Sequence, residues 1–115
     1  MKRGDVFWAD LVPRSGSEQT GRRPVIVLSH DGFNQIAAWK SIIVVPVSTS
    51  ASQGARGPTV VALPGGSAGL TKESFAICHQ VTTLDRGKLT RRVGTLPSDL
   101  LRSVEEALKA AMDLD

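Results

Sequence analysis

Apolar residues in this chain come in short runs, each closed off by glycine, proline or small polar residues. No other feature restricts the fold so much, because runs of this length suit strands and only the last apolar segment carries a helical period. In the first run, Val6 to Leu11, Phe7, Ala9 and Leu11 share one face while Trp8 and Asp10 share the other. Pro24 to Leu28 reads as a buried strand with proline at its tolerated first position. Ser41 to Val47, Thr59 to Leu63, Ser74 to Val81 and Arg91 to Leu96 complete the expected strands. Asp31 to Ala38 predicts a short helix capped by Asp31. At the end of the chain, Leu101, Val104, Leu108, Ala111 and Met112 recur at helical spacing behind Ser98, the expected N-cap. The pattern is mainly β with helices, a barrel or sandwich with one C-terminal helix packed on it. No repeat, low-complexity tract or linker divides residues 1–115, so one domain is expected.

Composition narrows the function classes. Hydrophobic residues make up 41% and charged residues 22%, ordinary for a soluble globular protein. No apolar run reaches the ~20 residues of a membrane helix, and the basic start Met1-Lys2-Arg3 lacks the apolar stretch of a secretory signal. Cys78 is the only cysteine, so no internal disulfide can form and a reducing, cytoplasmic setting is expected. One cysteine and two histidines fall short of a zinc site. There is no phosphate-binding glycine loop, dinucleotide fingerprint or nucleophile elbow. Neither cofactor nor metal is expected. The formal charge of +3 leans mildly towards an anionic partner. Arg14, Arg22, Arg23, Arg56, Lys72, Arg86, Lys88, Arg91 and Arg92 fall in loops or at strand ends. Gathered on one face they would bind phosphates, and scattered they would only be solvated.

The residues that could carry chemistry are Arg22, Arg23, Glu18, Ser48, Thr49 and His79. A cofactor-free barrel can still cut RNA, because RNA brings its own nucleophile. The 2′-hydroxyl attacks the adjacent phosphorus, and the protein need only position the strand, move protons and stabilise phosphoryl charge. Arginine suits the last task, being always charged and shaped for two phosphate oxygens.

At these residues the chain resembles a known family. Arg3-Gly4-Asp5-Val6-Phe7-Trp8-Ala9-Asp10-Leu11 is similar to the opening strand of the MazF/PemK/Kid toxins. Gly16-Ser17-Glu18-Gln19 followed by Arg23-Pro24-Val25-Ile26-Val27-Leu28-Ser29 resembles that family's next block, with Asn34 after it. Val45-Pro46-Val47-Ser48-Thr49-Ser50, Gln80-Val81-Thr82-Thr83-Leu84-Asp85 and Arg91-Arg92-Val93-Gly94-Thr95-Leu96 follow in order. The resemblance implies an SH3-like β-barrel of the toxin type, a homodimer, and a metal-independent endoribonuclease acting on single-stranded RNA. It also implies a cognate MazE-like antitoxin whose extended tail covers the RNA groove. Arg23 takes the position of the catalytic arginine and Ser48 that of a catalytic threonine, a departure that keeps the hydroxyl and loses the methyl. Thr49 can share that role. His79 stands where relatives carry an acidic residue, and imidazole suits proton transfer near neutrality. Glu18, Gln19, Arg22, Thr49, Arg56 and Gln80 are the expected RNA contacts.

Each residue also has an ordinary structural reading: a surface arginine at 23, a strand-ending hydrogen bond at 48, a half-buried histidine at 79. His30, at a helix entry, reads as structural, and Phe33 and Trp39 as core or dimer anchors. Two other functions stay open. One is a toxin of the same fold that binds DNA gyrase, although the tryptophan-containing tail of such toxins is replaced here by Ala111-Met112-Asp113-Leu114-Asp115. The other is a non-catalytic SH3-like binding module.

Overall fold

The structure is a computed structural model that describes residues 1–11, 21–52 and 57–115. Seven strands and two helices are ordered β1 (Asp5–Leu11), β2 (Gly21–Val27), α1 (Asp31–Asn34), β3 (Ser41–Ser48), β4 (Val60–Leu63), β5 (Ser74–Ile77), β6 (Thr82–Asp85), β7 (Leu89–Thr95) and α2 (Ser98–Met112). All pairings are antiparallel, and the sheet runs β4-β5-β3-β2-β1-β7 with β6 also on β3.

The central strands are buried on both faces, and alternation sorts their side chains into two cores. Ala9, Leu11, Val25, Val27, Ile42, Val44 and Leu84 form one. Val6, Ile26, Leu28, Val45 and Val47 point the other way, where Val104 and Ala107 of α2 join them. Burying each such valine or isoleucine contributes about 1.5–3 kcal/mol. β6 and β7 flank opposite sides of the central strands yet are joined by one 3-10 turn, Arg86–Lys88. The sheet therefore curls into a barrel that hydrogen bonds leave incompletely closed. This is the mainly β architecture with a C-terminal helix that the run pattern predicts.

A second closure comes from the turn Ser67–Gly69, which crosses β7 at Val93 and Gly94. The two backbones approach so closely that a Cβ on Gly69 would lie 2.2 Å from the Val93 carbonyl oxygen, and one on Gly94 2.3 Å from that of Ala68. Only glycine fits at either crossing.

Three local expectations are corrected. The segment 74–81 is not one strand, because three residues, Cys78–Gln80, form a 3-10 turn. β5 pairs Ala76 with Val47, and continuing that register would set His79 against Val44, yet Val44 pairs with Thr82. β5 and β6 thus follow the same edge of β3 with three residues looped out between them. Secondly, α1 ends at Asn34 and is capped by His30, whose Nδ1 accepts the Gly32 N–H at 2.8 Å, rather than by Asp31. Thirdly, Ser98 is already helical: Pro97 is the N-cap, its carbonyl accepting the Leu101 N–H at 3.0 Å.

The segment after α1 is held by one side chain. Arg86 donates to the backbone carbonyls of Trp39 at 2.8 Å, Ile36 at 2.9 Å, Asn34 at 3.1 Å and Phe33 at 3.3 Å. The side chains on that segment stay outside: Phe33, Ile36 and Trp39 are 45%, 52% and 42% exposed, and the rings of Phe33 and Trp39 stack at 4.7 Å.

Candidate functional site

β1, β2 and β7 bring four conspicuous residues together. Trp8 lies opposite Pro24 on β2 and Arg91 on β7, and the Arg22 guanidinium sits over the Trp8 ring, 5.2 Å from its centroid. That distance is within cation–π range, so the ring holds a guanidinium that is otherwise solvent-exposed. Across from them, the chain leaving the Gly69 crossing supplies Leu70, Thr71 and Lys72. Together these residues enclose an open cavity of about 510 Å³.

Its lining is one-sided in charge. Arg22, Arg23, Lys72, Arg91 and Arg92 border it, and among the described residues no carboxylate does. Trp8, Pro24, Val47, Leu70 and Val93 make the apolar wall, and Thr49 and Thr71 add hydroxyls. Arg92 is partly neutralised by Asp5 at 3.6 Å. Among the described residues, Arg22, Lys72 and Arg91 have no carboxylate within ion-pair distance. Cations converging over a low-dielectric wall concentrate positive potential, which suits a phosphate chain.

β2 and β3 pair Val25 with Pro46 and Val27 with Val44. Past the end of that pairing Arg23 borders the cavity, while Ser48 pairs with Phe75 on β5. The side chain of Ser48 is buried, 3% exposed, and its Oγ accepts the Ser50 N–H at 3.1 Å. That bond bends the chain out of β3 and leaves the neighbouring Thr49 exposed on the cavity. The strand-ending role is therefore present at Ser48, and the accessible hydroxyl belongs to Thr49.

His79 lies elsewhere. The looped-out turn exposes it at the end of β5 remote from Ser48, and it does not line the cavity. Its Nδ1 shares a hydrogen bond of 2.8 Å with the Thr59 hydroxyl. Gln80 follows it in the same turn, half-buried. Cys78, one residue before, is buried, and burial pushes its thiol up to about 12, so it stays protonated and unreactive. Glu18, Gln19 and Arg56 fall outside the described residues.

Trp8, Lys72, Arg91 and Arg92 are the cavity residues that the candidate list misses. Their signal is indirect: Trp8 sits on the non-core face of an alternating strand, and the other three belong to the loop and strand-end cations. Only tertiary closure shows that those cations share one wall.

Several motif residues prove to be holders of the fold. Gly4 has a positive φ of 94° and bonds both Val27 and Leu96 through its backbone. Asp5 is buried and accepts the Thr95 hydroxyl at 2.8 Å. The amide of buried Asn34 accepts from the Ser29 hydroxyl at 2.6 Å and donates to the Ser29 carbonyl at 2.7 Å.

Comparison with known proteins places the whole chain. The chain is 35% identical over 114 residues to the endoribonuclease MazF2 of Mycobacterium bovis, covering 99% of this chain and 98% of that one. A MazF crystal structure from Deinococcus radiodurans superposes with a TM-score of 0.81 at 26% identity, covering 99% of this chain and 97% of that one. A MazE–MazF crystal structure from the same organism gives 0.74 at 26% identity, covering 100% and 97%. Residues 2–112 match the family of PemK-like, MazF-like toxins of type II toxin–antitoxin systems, and the chain belongs to that family.

Proposed function

We propose that this protein is the toxin of a type II toxin–antitoxin pair and cuts single-stranded RNA without a metal ion. The observation that carries the reading is Arg23 on a cavity that, among the described residues, is bordered by five cations and no carboxylate, with the Thr49 hydroxyl on the same lining. The RNA 2′-hydroxyl attacks the neighbouring phosphorus, the bond to the 5′-oxygen breaks, and the products carry a 2′,3′-cyclic phosphate and a 5′-hydroxyl. Arg23 stabilises charge on the phosphoryl oxygens. Ser48 and Thr49 supply the hydroxyl function, Ser48 by fixing the strand end and Thr49 by contact. His79 is the candidate for proton transfer, its Nδ1 engaged by Thr59, and because it lies off the cavity it serves only where the bound strand runs on to the far end of β5. Arg22, Gln80, Glu18, Gln19 and Arg56 contact the strand. The relative's name, endoribonuclease, and the MazE–MazF complex support the same reading. The MazE–MazF complex also supports a MazE-like antitoxin as partner, and a homodimer is the proposed working form. No helix among the described residues is long and apolar enough to cross a membrane, and the cytoplasm, where RNA is reached directly, is the proposed location.

The test is incubation of the protein with mixed single-stranded RNA in EDTA, followed by end analysis of the fragments. Cleavage should proceed fully, leave cyclic or opened 3′-phosphate ends, and stop when a 2′-deoxynucleotide occupies the cleaved position. Cutting of that deoxy substrate, or a strict magnesium requirement, overturns the mechanism.

A further inference from the structure

The cavity holds more than its cations explain. A wall that only gathered phosphates would not need an indole, and here the indole carries a guanidinium already laid against it. Trp8 is half-buried in the sheet between Pro24 and Arg91, so its ring is fixed. Arg22 is exposed beside that ring. A planar cation held in this way is a stacking surface for a nucleobase, because every base offers a π-face and single-stranded RNA has unstacked bases to spare. Lys72 and Arg91 stand on the same cavity without a carboxylate partner among the described residues, placed to take the phosphate of that nucleotide.

We propose that the Trp8–Arg22 stack is a nucleobase platform, and that the cavity seats one nucleotide of the bound strand beside the one being cut. The proposal rests on the RNA-cutting reading, since Arg23 borders the same cavity and a phosphate held there brings its neighbour to Trp8. Its content is separate: Arg23 acts on a phosphate, whereas the stack recognises a base. An acidic peptide could satisfy the cations, but carboxylates gain nothing from a stacking plane, so the platform favours nucleic acid.

Trp8 and Trp39 are the chain's two tryptophans, so a Trp39→Phe protein reports on Trp8 alone by fluorescence. The probes are mixed-sequence 2′-O-methyl RNA heptamers, which lack the attacking hydroxyl and cannot be cut. They are compared with an abasic heptamer of equal charge and a glutamate heptapeptide. The heptamers should quench Trp8 and bind about ten-fold or more tightly than the abasic strand. The abasic strand should bind without quenching, and the peptide should leave the emission unchanged. Arg22→Lys keeps the charge and removes the plane, so it should cost the base-dependent part of the affinity while the salt dependence stays. Equal binding and quenching by the abasic strand, or preference for the peptide, overturns the platform. Because these probes are uncleavable, the two readings fail separately. A protein that cuts RNA without base-dependent quenching loses only the platform, and one that quenches without cutting loses only the proposed nuclease activity.

Discussion

Among single residues, Arg23 and His79 make different demands. If Arg23 stabilises developing phosphoryl charge, Arg23→Ala should lower single-turnover cleavage by ~10²-fold or more in a protein that still melts cooperatively. Arg23→Lys should rescue poorly, since a point charge cannot reproduce the two-pronged donor. Near-normal cleavage by folded Arg23→Ala removes the assignment. A general base at His79 predicts that cleavage at saturating RNA rises with pH towards a plateau. His79→Ala should then erase that limb and cost on the order of 10²–10⁴-fold in rate. Weaker RNA binding with an unchanged profile would make His79 a substrate contact, and a lower melting temperature alone would make it a brace for Thr59. Rate, affinity and melting temperature on one preparation separate the three. Arg23 is picked out only by the resemblance of Arg23-Pro24 and the run behind it to the toxin family's block, and the fold adds that it borders the cavity. The position of His79 is not legible in the sequence, because its exposure depends on how two strands share the edge of β3, a long-range matter that alternation along residues 74–81 cannot register.

The elements show the same division. Alternation, buried runs and turn residues find β1, β3 and α2, whose pattern is local. They start β2 at Pro24, which in the fold lies in the middle of a strand beginning at Gly21. The break at Cys78–Gln80 and the crossing of Gly69 over β7 need the partner strand, so no run of letters announces them. The junction between the start of the chain and α1 depends on one carboxylate. Asp31 accepts the Arg3 N–H at 2.7 Å and the Asn34 side-chain amide at 3.0 Å, and these bonds, the first above all, hold its carboxyl below the usual range. Its folded form therefore binds a proton less readily than its unfolded form. The resulting stability is present above the ordinary carboxylate value of about 3.9 and fades as pH falls through the lower folded value. Asp31→Asn keeps the shape and removes the titration. Melting curves of the two proteins should differ near neutrality and converge as the pH drops below about 4. A gap constant across that range would show that the charge contributes nothing.

Taken whole, the molecule has two unlike ends. β3 spans Ser41–Ser48, with the Phe33–Trp39 segment before it and Thr49, on the cavity, after it. Strand rise alone separates the two by roughly 23 Å. Phe33, Ile36, Trp39 and Ile43 are all at least 42% exposed at the first end, and self-association through them would leave the cationic end open. Sedimentation at micromolar concentration should accordingly find a dimer, and Trp39→Glu should weaken it at least ten-fold. A monomer at every concentration, or a dimer indifferent to Trp39→Glu, excludes that face. Arg86 gives this end a different freedom. Its guanidinium grips four main-chain oxygens, and a main-chain oxygen is common to every amino acid. Of the displayed apolar side chains, only Trp39 adds a hydrogen bond of its own, from its indole to the Ser41 carbonyl at 2.7 Å. Descendants of this chain can exchange Phe33 or Ile36, and with them the choice of companion, while inheriting the bonds that carry the segment.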